Sequence, residues 1–182
     1  MSRLTNSTYI TLDGAVENPQ NWPSGRHEDD GRAQQIQTDL LLSCDTVLMG
    51  RRTYEGFVPV WTAMSGDPYS DHINAAEKLV ASTTLTDPEW NNTTVVSEDL
   101  VGEVRRRKEG DGGDIVQYGF GDVSRTLLDA GLFDELRLWV HPLMIGRGDA
   151  GDLLFRDGAA AQFELADVTR LASGIVILTY NA

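Results

Sequence analysis

Two segments of this chain repeat one order of features: VLMGRRTYE at residues 47–55 and IVQYGFGDVSRTLL at residues 115–128. In each, a short apolar strand runs through glycine into the start of a helix. That unit builds parallel sheets, because parallel neighbours cannot be joined by a hairpin and need a crossover, usually helical. The first N–H groups of such a helix have no acceptors within it, and the macrodipole adds positive potential there. Each junction is therefore a candidate anion site, and Arg51 and Arg52 add fixed charge to the first. In a parallel sheet both helix starts lie at the carboxyl edge, where ligands settle between loops. Two facing junctions suit the pyrophosphate of a dinucleotide; alternatively, both glycines serve only close helix–strand packing. No G-x-G-x-x-G follows the first strand.

The remaining pattern extends this frame. Tyr9–Leu12 reads as a strand ending at the turn pair Asp13-Gly14. Ile36, Leu40 and Leu41 at helical spacing predict a helix over Ala33–Ser43, capped by Asp29 or Asp30. Thr46–Met49 is the strand before Gly50, and the next helix is expected from Thr53 to an interruption at Pro59. A helix over His72–Glu77, a strand at Leu79–Ala81 and a strand at Thr94–Val96 follow. Ser97 is expected to cap a helix with Glu98 and Asp99 in its first turn and Arg105, Arg106, Arg107 and Lys108 in its last, an order that complements the dipole. Asp114–Tyr118 is a strand, Val123–Leu132 a helix, and Leu136–Val140 alternates like a half-buried strand. Phe163–Ala172 and Ile175–Tyr180, joined at Ser173-Gly174, form a hairpin. The expectation is one α/β domain over residues 1–182, its mostly parallel sheet carrying an antiparallel C-terminal edge.

Charge narrows the partners. Fifteen basic against 28 acidic residues give −13 and a pI near 4.5, which argues against nucleic acid and anionic membranes. A small phosphorylated ligand stays compatible, since local donors outweigh a screened global field. The single cysteine, Cys44, sits among leucines and reads as a buried, inert thiol suited to a reducing cytoplasm. No apolar run reaches membrane-spanning length. His27, His72 and His141 lack paired ligand spacing, so no metal site is expected, and a G-x-S-x-G elbow is absent.

In order along the chain, the Asp-Gly after the first strand, Trp22, MGRRTYE, LVASTTL, VVSEDL, YGFGDVSRTLLDAGLFDELRL and HPLMIGRG resemble the dihydrofolate-reductase-like family. The closest branch holds the reductase domain of the riboflavin-biosynthesis deaminase–reductase, and the resemblance runs from about Thr8 to the C-terminus. It implies the dihydrofolate-reductase-like fold and an NADPH site. Gly50, Arg51, Arg52 and Thr53 would hold the 2′-phosphate and pyrophosphate, and Ser82 and Thr83 would line the adenosine pocket. Gly119, Phe120, Gly121, Asp122 and Val123 would offer backbone N–H groups to the pyrophosphate, while the backbone of Tyr9 and Ile10 flanks the nicotinamide. The riboflavin branch also implies a homodimer through the half containing Trp139 and the terminal hairpin. Two departures bear on the cofactor. Many relatives carry Ser-Arg where this chain has Ser82-Thr83, and Asp122 stands where Arg or Ser is common at the phosphate-facing helix start.

A third departure bears on chemistry. Dihydrofolate reductases place a carboxylate early in the helix after the Trp-containing loop; by offset from Trp22 that position is His27, either an acid titrating near neutrality or an exposed loop residue. Asp13 is either a polar site residue beside the nicotinamide or a turn former, and Tyr118 is expected to face the same crevice. Trp22, Phe57 and Trp61 are candidate pocket walls. Hydride transfer asks the protein mainly for alignment, a dry pocket and a proton source. The reading is an NADPH-dependent reductase of a small pterin- or pyrimidine-like heterocycle, with a nucleotide- or flavin-binding protein without turnover as the alternative.

Overall fold

Strand β1 (Leu4–Thr11) is rich in threonine and serine, yet every residue except Tyr9 is buried, which marks a strand covered on both faces. The computed structural model describes residues 1–23, 30–146, 150–154 and 160–182. After β1 come α1 (Arg32–Leu42), β2 (Cys44–Gly50), α2 (Arg51–Trp61), α3 (Pro68–Ala75), β3 (Glu77–Ala81) and β4 (Thr93–Val96). Then follow α4 (Leu100–Glu109), β5 (Asp114–Tyr118), α5 (Asp122–Asp129), β6 (Glu135–His141), β7 (Glu164–Arg170) and β8 (Val176–Asn181).

The eight strands form one sheet in the order β4-β3-β2-β5-β1-β6-β8-β7. The pairs from β4 to β6 are parallel, whereas β6–β8 and β8–β7 are antiparallel. The chain is thus an α/β protein with a mixed, mostly parallel sheet and an antiparallel C-terminal edge. On one face Val47, Met49, Val80 and Val116 pack with Leu40 and Leu41 of α1, Tyr54 of α2 and Ile73 of α3. On the other, Leu48, Leu79 and Ile115 pack with Val104 of α4 and Leu127 of α5. A third cluster, Trp139 with Leu171 and Ile177, lies against Ala33 and Ile36 of α1. Among the described residues no helix is long and apolar enough to cross a membrane.

Strand β1 begins at Leu4 rather than Tyr9, because its polar residues are buried, and α1 follows Gly31 at its cap position instead of the Asp30 expected, Asp29 lying outside the described residues. Four further expectations shift in the helices. Helix α2 starts at Arg51 rather than Thr53, directly after extended Gly50, and runs through Pro59. Proline inside a helix costs about 3 kcal/mol. Here only two helical residues follow it, while Tyr54, Phe57, Val58 and Trp61 keep α2 packed on both sides of it. The helix expected at His72–Glu77 lies at Pro68–Ala75, started by Pro68 and capped by Asp67, which accepts from Tyr69 and Ser70 N–H at 3.0 and 3.1 Å. The cap of α4 is Asp99, accepting from Gly102 N–H at 2.9 Å, not Ser97. Helix α5 spans Asp122–Asp129, shorter at its end than Val123–Leu132.

Candidate functional site

Strand β2 leaves through α2 and α3 toward β3 on its outer side, while β5 leaves through α5 to β6 on the far side of β1. The order of connections therefore reverses between β2 and β5, although the two strands stay parallel. In open α/β sheets the carboxyl-edge crevice at such a reversal is where ligands bind. Both glycine junctions meet there. A Cβ on Gly50 would stand 3.3 Å from Val123 Cγ2, and one on Gly119 would stand 3.1 Å from Thr53 Oγ1. Gly119 also has φ +82°, a region that side chains other than glycine rarely occupy.

Gly50 caps α2 and Gly121 caps α5, so neither cap residue has a side chain with which to bond the first helical N–H groups. Two helix starts thus converge at this edge, each of the kind where backbone N–H groups can meet an anion. Arg51 and Arg52 are exposed at the start of α2, and Arg51 reaches Glu55 at 3.0 Å. An exposed i,i+4 pair of this kind is worth only about 0.3–0.5 kcal/mol, so the arginine yields readily to a phosphate. Asp122 opens α5 and is exposed. At the end of β3, Ser82 Oγ accepts from Thr84 and Leu85 N–H at 3.1 and 3.0 Å, which fixes the turn carrying exposed Thr83.

A buried polar network fixes the second junction from beneath. Gly119 O accepts from Asn6 Nδ2 at 2.9 Å and from Ser124 Oγ at 3.1 Å. Asn6 also donates to Gln117 Oε1 at 3.0 Å, Gln117 donates to Ser124 Oγ at 2.8 Å, and Thr8 donates to Asn6 Oδ1 at 2.9 Å. Asn6, Thr8, Gln117 and Ser124 are all at most 1% exposed. A fully paired buried network specifies one geometry, here that of the turn entering α5. These residues escaped the sequence reading because polar side chains within strands suggest a wet face.

The ladder between β1 and β5 ends at Ser7 and Tyr118, whereas β1 continues along β6 to Thr11 opposite His141. Tyr9 and Ile10 therefore border an opening on their β5 side. Ile10 turns into the core of the α5 face, and Tyr9 is half-buried beneath α1. Phe120 is also buried, 6.5 Å from the Phe133 ring, which leaves its backbone as the part of this residue near the crevice.

Of the three candidates for chemistry, His27 lies outside the described residues. Asp13 stands at the carboxyl edge, where its carboxylate accepts from Thr11 Oγ1 and from the backbone N–H groups of Gly146 and Ile145, tying the loop after β1 to that after β6. The Thr11 hydroxyl, then the Gly146 N–H, hold its pKa below the usual carboxylate value, so Asp13 is ionised and acts as an acceptor. Tyr118 is 8% exposed, takes a hydrogen bond from Tyr69 at 3.1 Å and lies 5.7 Å from the Phe57 ring. Burial pushes its phenol well above the ordinary value. Phe57 and Trp61 pack on this same cluster, and Trp61 lies 4.8 Å from the Tyr69 ring.

Under α1 stands a group that pattern reading did not assemble. Tyr9 lies 4.8 Å from the His141 ring, and Trp22 lies edge-on to His141 at 5.4 Å. Gln37 Nε2 donates to the Tyr9 hydroxyl at 3.0 Å. Gln37 Oε1 and His141 Nε2 are both shielded from solvent without a hydrogen-bond partner among the described residues. Each such atom costs about 1–3 kcal/mol. Trp22 also lines a cleft of about 540 Å³ with Asn18, Asn21, Pro23, Met144 and Ile145.

Two glycine turns in contact at the carboxyl edge, where the order of connections reverses, place the chain in the α/β class whose ligands bind between strand ends. The family model of the RibD C-terminal domain matches residues 3–177, and the chain belongs to that family. It is 28% identical over 153 residues to the uncharacterized protein YyaP of Bacillus subtilis (strain 168), covering 79% of this chain and 77% of that one. Among solved structures it is similar to Acinetobacter baumannii RibD, with TM-score 0.69 and 13% identity over 100% of this chain and 58% of that one. Dihydrofolate reductase from Enterococcus faecalis, complexed with NADP(H), superimposes with TM-score 0.65 and 14% identity over 98% of this chain and 95% of that one. The fold is dihydrofolate-reductase-like.

Proposed function

We propose that this chain is an NADPH-dependent reductase delivering hydride to a small heterocyclic substrate, pterin- or pyrimidine-like. The observation that carries the reading is the contact of two strand–glycine–helix turns where the order of connections reverses. Arg51 and Arg52 take the 2′-phosphate, and Thr53 with the N–H groups from Gly119 to Val123 takes the pyrophosphate. The turn of Ser82 and Thr83 borders the adenosine, and the open edge of Tyr9 and Ile10 admits the nicotinamide. NADPH would supply the hydride when bound; the similar Enterococcus faecalis enzyme is complexed with NADP(H). The chain's own residues bind it, align it and exclude water. Asp13 keeps the loops beside the nicotinamide in register, and Tyr118 closes the floor as a neutral phenol; His27 is the candidate proton source. The protein acts as a homodimer in a reducing cytoplasm, without nucleic-acid or membrane partners.

A ligand held only by the folded state raises Tm. Millimolar NADPH is expected to raise it more than NADH does, and Arg51→Gln/Arg52→Gln together are expected to erase the difference. No shift with either nucleotide would sink the reading. The alternative, nucleotide or flavin binding without turnover, draws on Asp13 and Tyr118, neither of which offers a labile proton. It requires binding with no NADPH oxidation across a panel of pterins, pyrimidines and quinones.

A further inference from the structure

We propose that His141 is a pH-sensitive latch on the Trp22 cleft: protonation of its imidazole releases the Trp22 indole and opens the cleft toward β6. The imidazole is clasped between two rings, Tyr9 at 4.8 Å and Trp22, edge-on, at 5.4 Å. Its Nε2 is shielded from solvent without a hydrogen-bond partner, and the equally shielded Gln37 Oε1 does not bond to it. A neutral imidazole can leave one nitrogen as an unpaired acceptor. An imidazolium donates from both nitrogens, and burying its charge without an acceptor is costly. The clasped arrangement therefore favours the neutral ring.

Among the described residues the clasp holds no charge to offset a cation. From β1 it meets the Tyr9 phenol, which burial keeps neutral, and from α1 the Gln37 amide, which donates to the Tyr9 hydroxyl at 3.0 Å. Asp39 of α1 is exposed and accepts from Gln35. Asp13, on the loop after β1, is engaged by Thr11, Ile145 and Gly146. Burial accordingly holds the His141 pKa below its ordinary 6.5. Beyond the indole the balance reverses. Trp22 walls a cleft that the carboxylates Glu17 and Asp152 also line. Once the indole moves aside, an imidazolium meets water and these carboxylates, both of which favour the charged form. The closed arrangement prefers the neutral ring and the open one the protonated ring, so pH biases a two-state element. The indole is free enough to act as that element: Trp22 is half-exposed, and its N–H donates to Glu17 O at 3.0 Å, within its own loop.

The test needs only the protein, labelled with fluorotryptophan and followed by fluorine NMR from about pH 8 to about pH 5. Trp22 is assigned by the signal missing from Trp22→Phe, and His141 is followed in parallel through its Cε1 carbon. In wild type the Trp22 signal should move in one step, at the His141 midpoint and below pH 6.5, while buried Trp90 stays unmoved. Between the pKa values of the clasped and open imidazole, the open-to-closed ratio should rise about tenfold per pH unit. Glu17→Gln should lower the midpoint, since the open state loses a counter-charge. His141→Phe should hold Trp22 in its high-pH position throughout, and His141→Gln should do the same if the phenylalanine disturbs folding. A His141 midpoint at or above 6.5 would mean that the faces of Tyr9 and Trp22 hold the imidazolium in place, and it overturns the proposal. So does a Trp22 signal that ignores the titration of His141, one that still moves in His141→Gln, or a midpoint unmoved by Glu17→Gln. Because no nucleotide is added, the outcome is separate from the fate of the reductase reading.

Discussion

Lys78 is fully buried in β3, where its ammonium donates to the Asn74 and Ile73 carbonyls at 2.9 and 3.3 Å and lies 4.7 Å from the Trp90 ring centroid. The last carbonyls of α3 thus receive a cation where the dipole favours one. Burial nevertheless pulls the Lys78 pKa from 10.5 down to about 8. Below pH 8 both folded and unfolded chains hold the proton, and the whole cost of burying the charge is present. Between pH 8 and 10.5 the folded state loses it first. The unfolded state then binds more protons, so unfolding free energy rises with pH. Cys44, raised to about 11 by burial, contributes the opposite slope, but it does so in any Lys78 variant too. Urea midpoints across this range should therefore rise for wild type relative to Lys78→Met. A constant difference between the two would show that Lys78 keeps an ordinary pKa. Sequence alone suggested nothing of this lysine, because a single charged residue before an apolar strand reads as a solvated end.

At the scale of elements, β5 and the two glycine junctions were legible because glycine punctuation and apolar strands are local signals. Strand β5 occupies Asp114–Tyr118 as expected. The start of α2 was missed by two residues, since an uncapped helix carries no Ser, Thr or Asp marker ahead of it. The support of the second junction was not legible at all: Asn6 and Gly119 are 113 residues apart, and no short-range pattern links them. That support yields a prediction. Removing the Asn6 amide takes one of two donors from Gly119 O, leaving Ser124 Oγ, and slackens the turn proposed to meet the pyrophosphate. Asn6→Ser is expected to weaken NADPH about tenfold, a hydrogen bond's worth. Adenosine 2′-monophosphate, which reaches Arg51 and Arg52 but has no pyrophosphate, should bind as before. Equal weakening of both nucleotides would mean that Asn6 merely supports the fold. The cluster of Tyr9, Gln37, Trp22 and His141 was hidden for the same reason, since Tyr9 and His141 are brought together by the pairing of β1 with β6.

Across the whole molecule the two sheet edges differ. Strand β4 is four residues long, a short edge that offers little to a second chain. Strand β7 is seven residues long and exposed nearly throughout, with Leu165 at 52% and Val168 at 53% exposure. Glu164, Asp167 and Arg170 interrupt it, so it is charged as well as apolar, and charge on an edge opposes uncontrolled strand addition. A two-fold contact reconciles these properties, because it buries the apolar residues of both copies while pairing their charges in one register. The proposed homodimer is therefore expected to use the β7–β8 hairpin, remote in the sheet order from the β2–β5 crevice. Leu165→Lys/Val168→Lys should shift the sedimentation coefficient from dimer to monomer at micromolar concentration. Because the proposed nucleotide site is built within one chain, the monomeric variant should keep the NADPH affinity of wild type. A wild-type chain that sediments as a monomer removes the dimer, and a variant that stays dimeric moves the interface elsewhere.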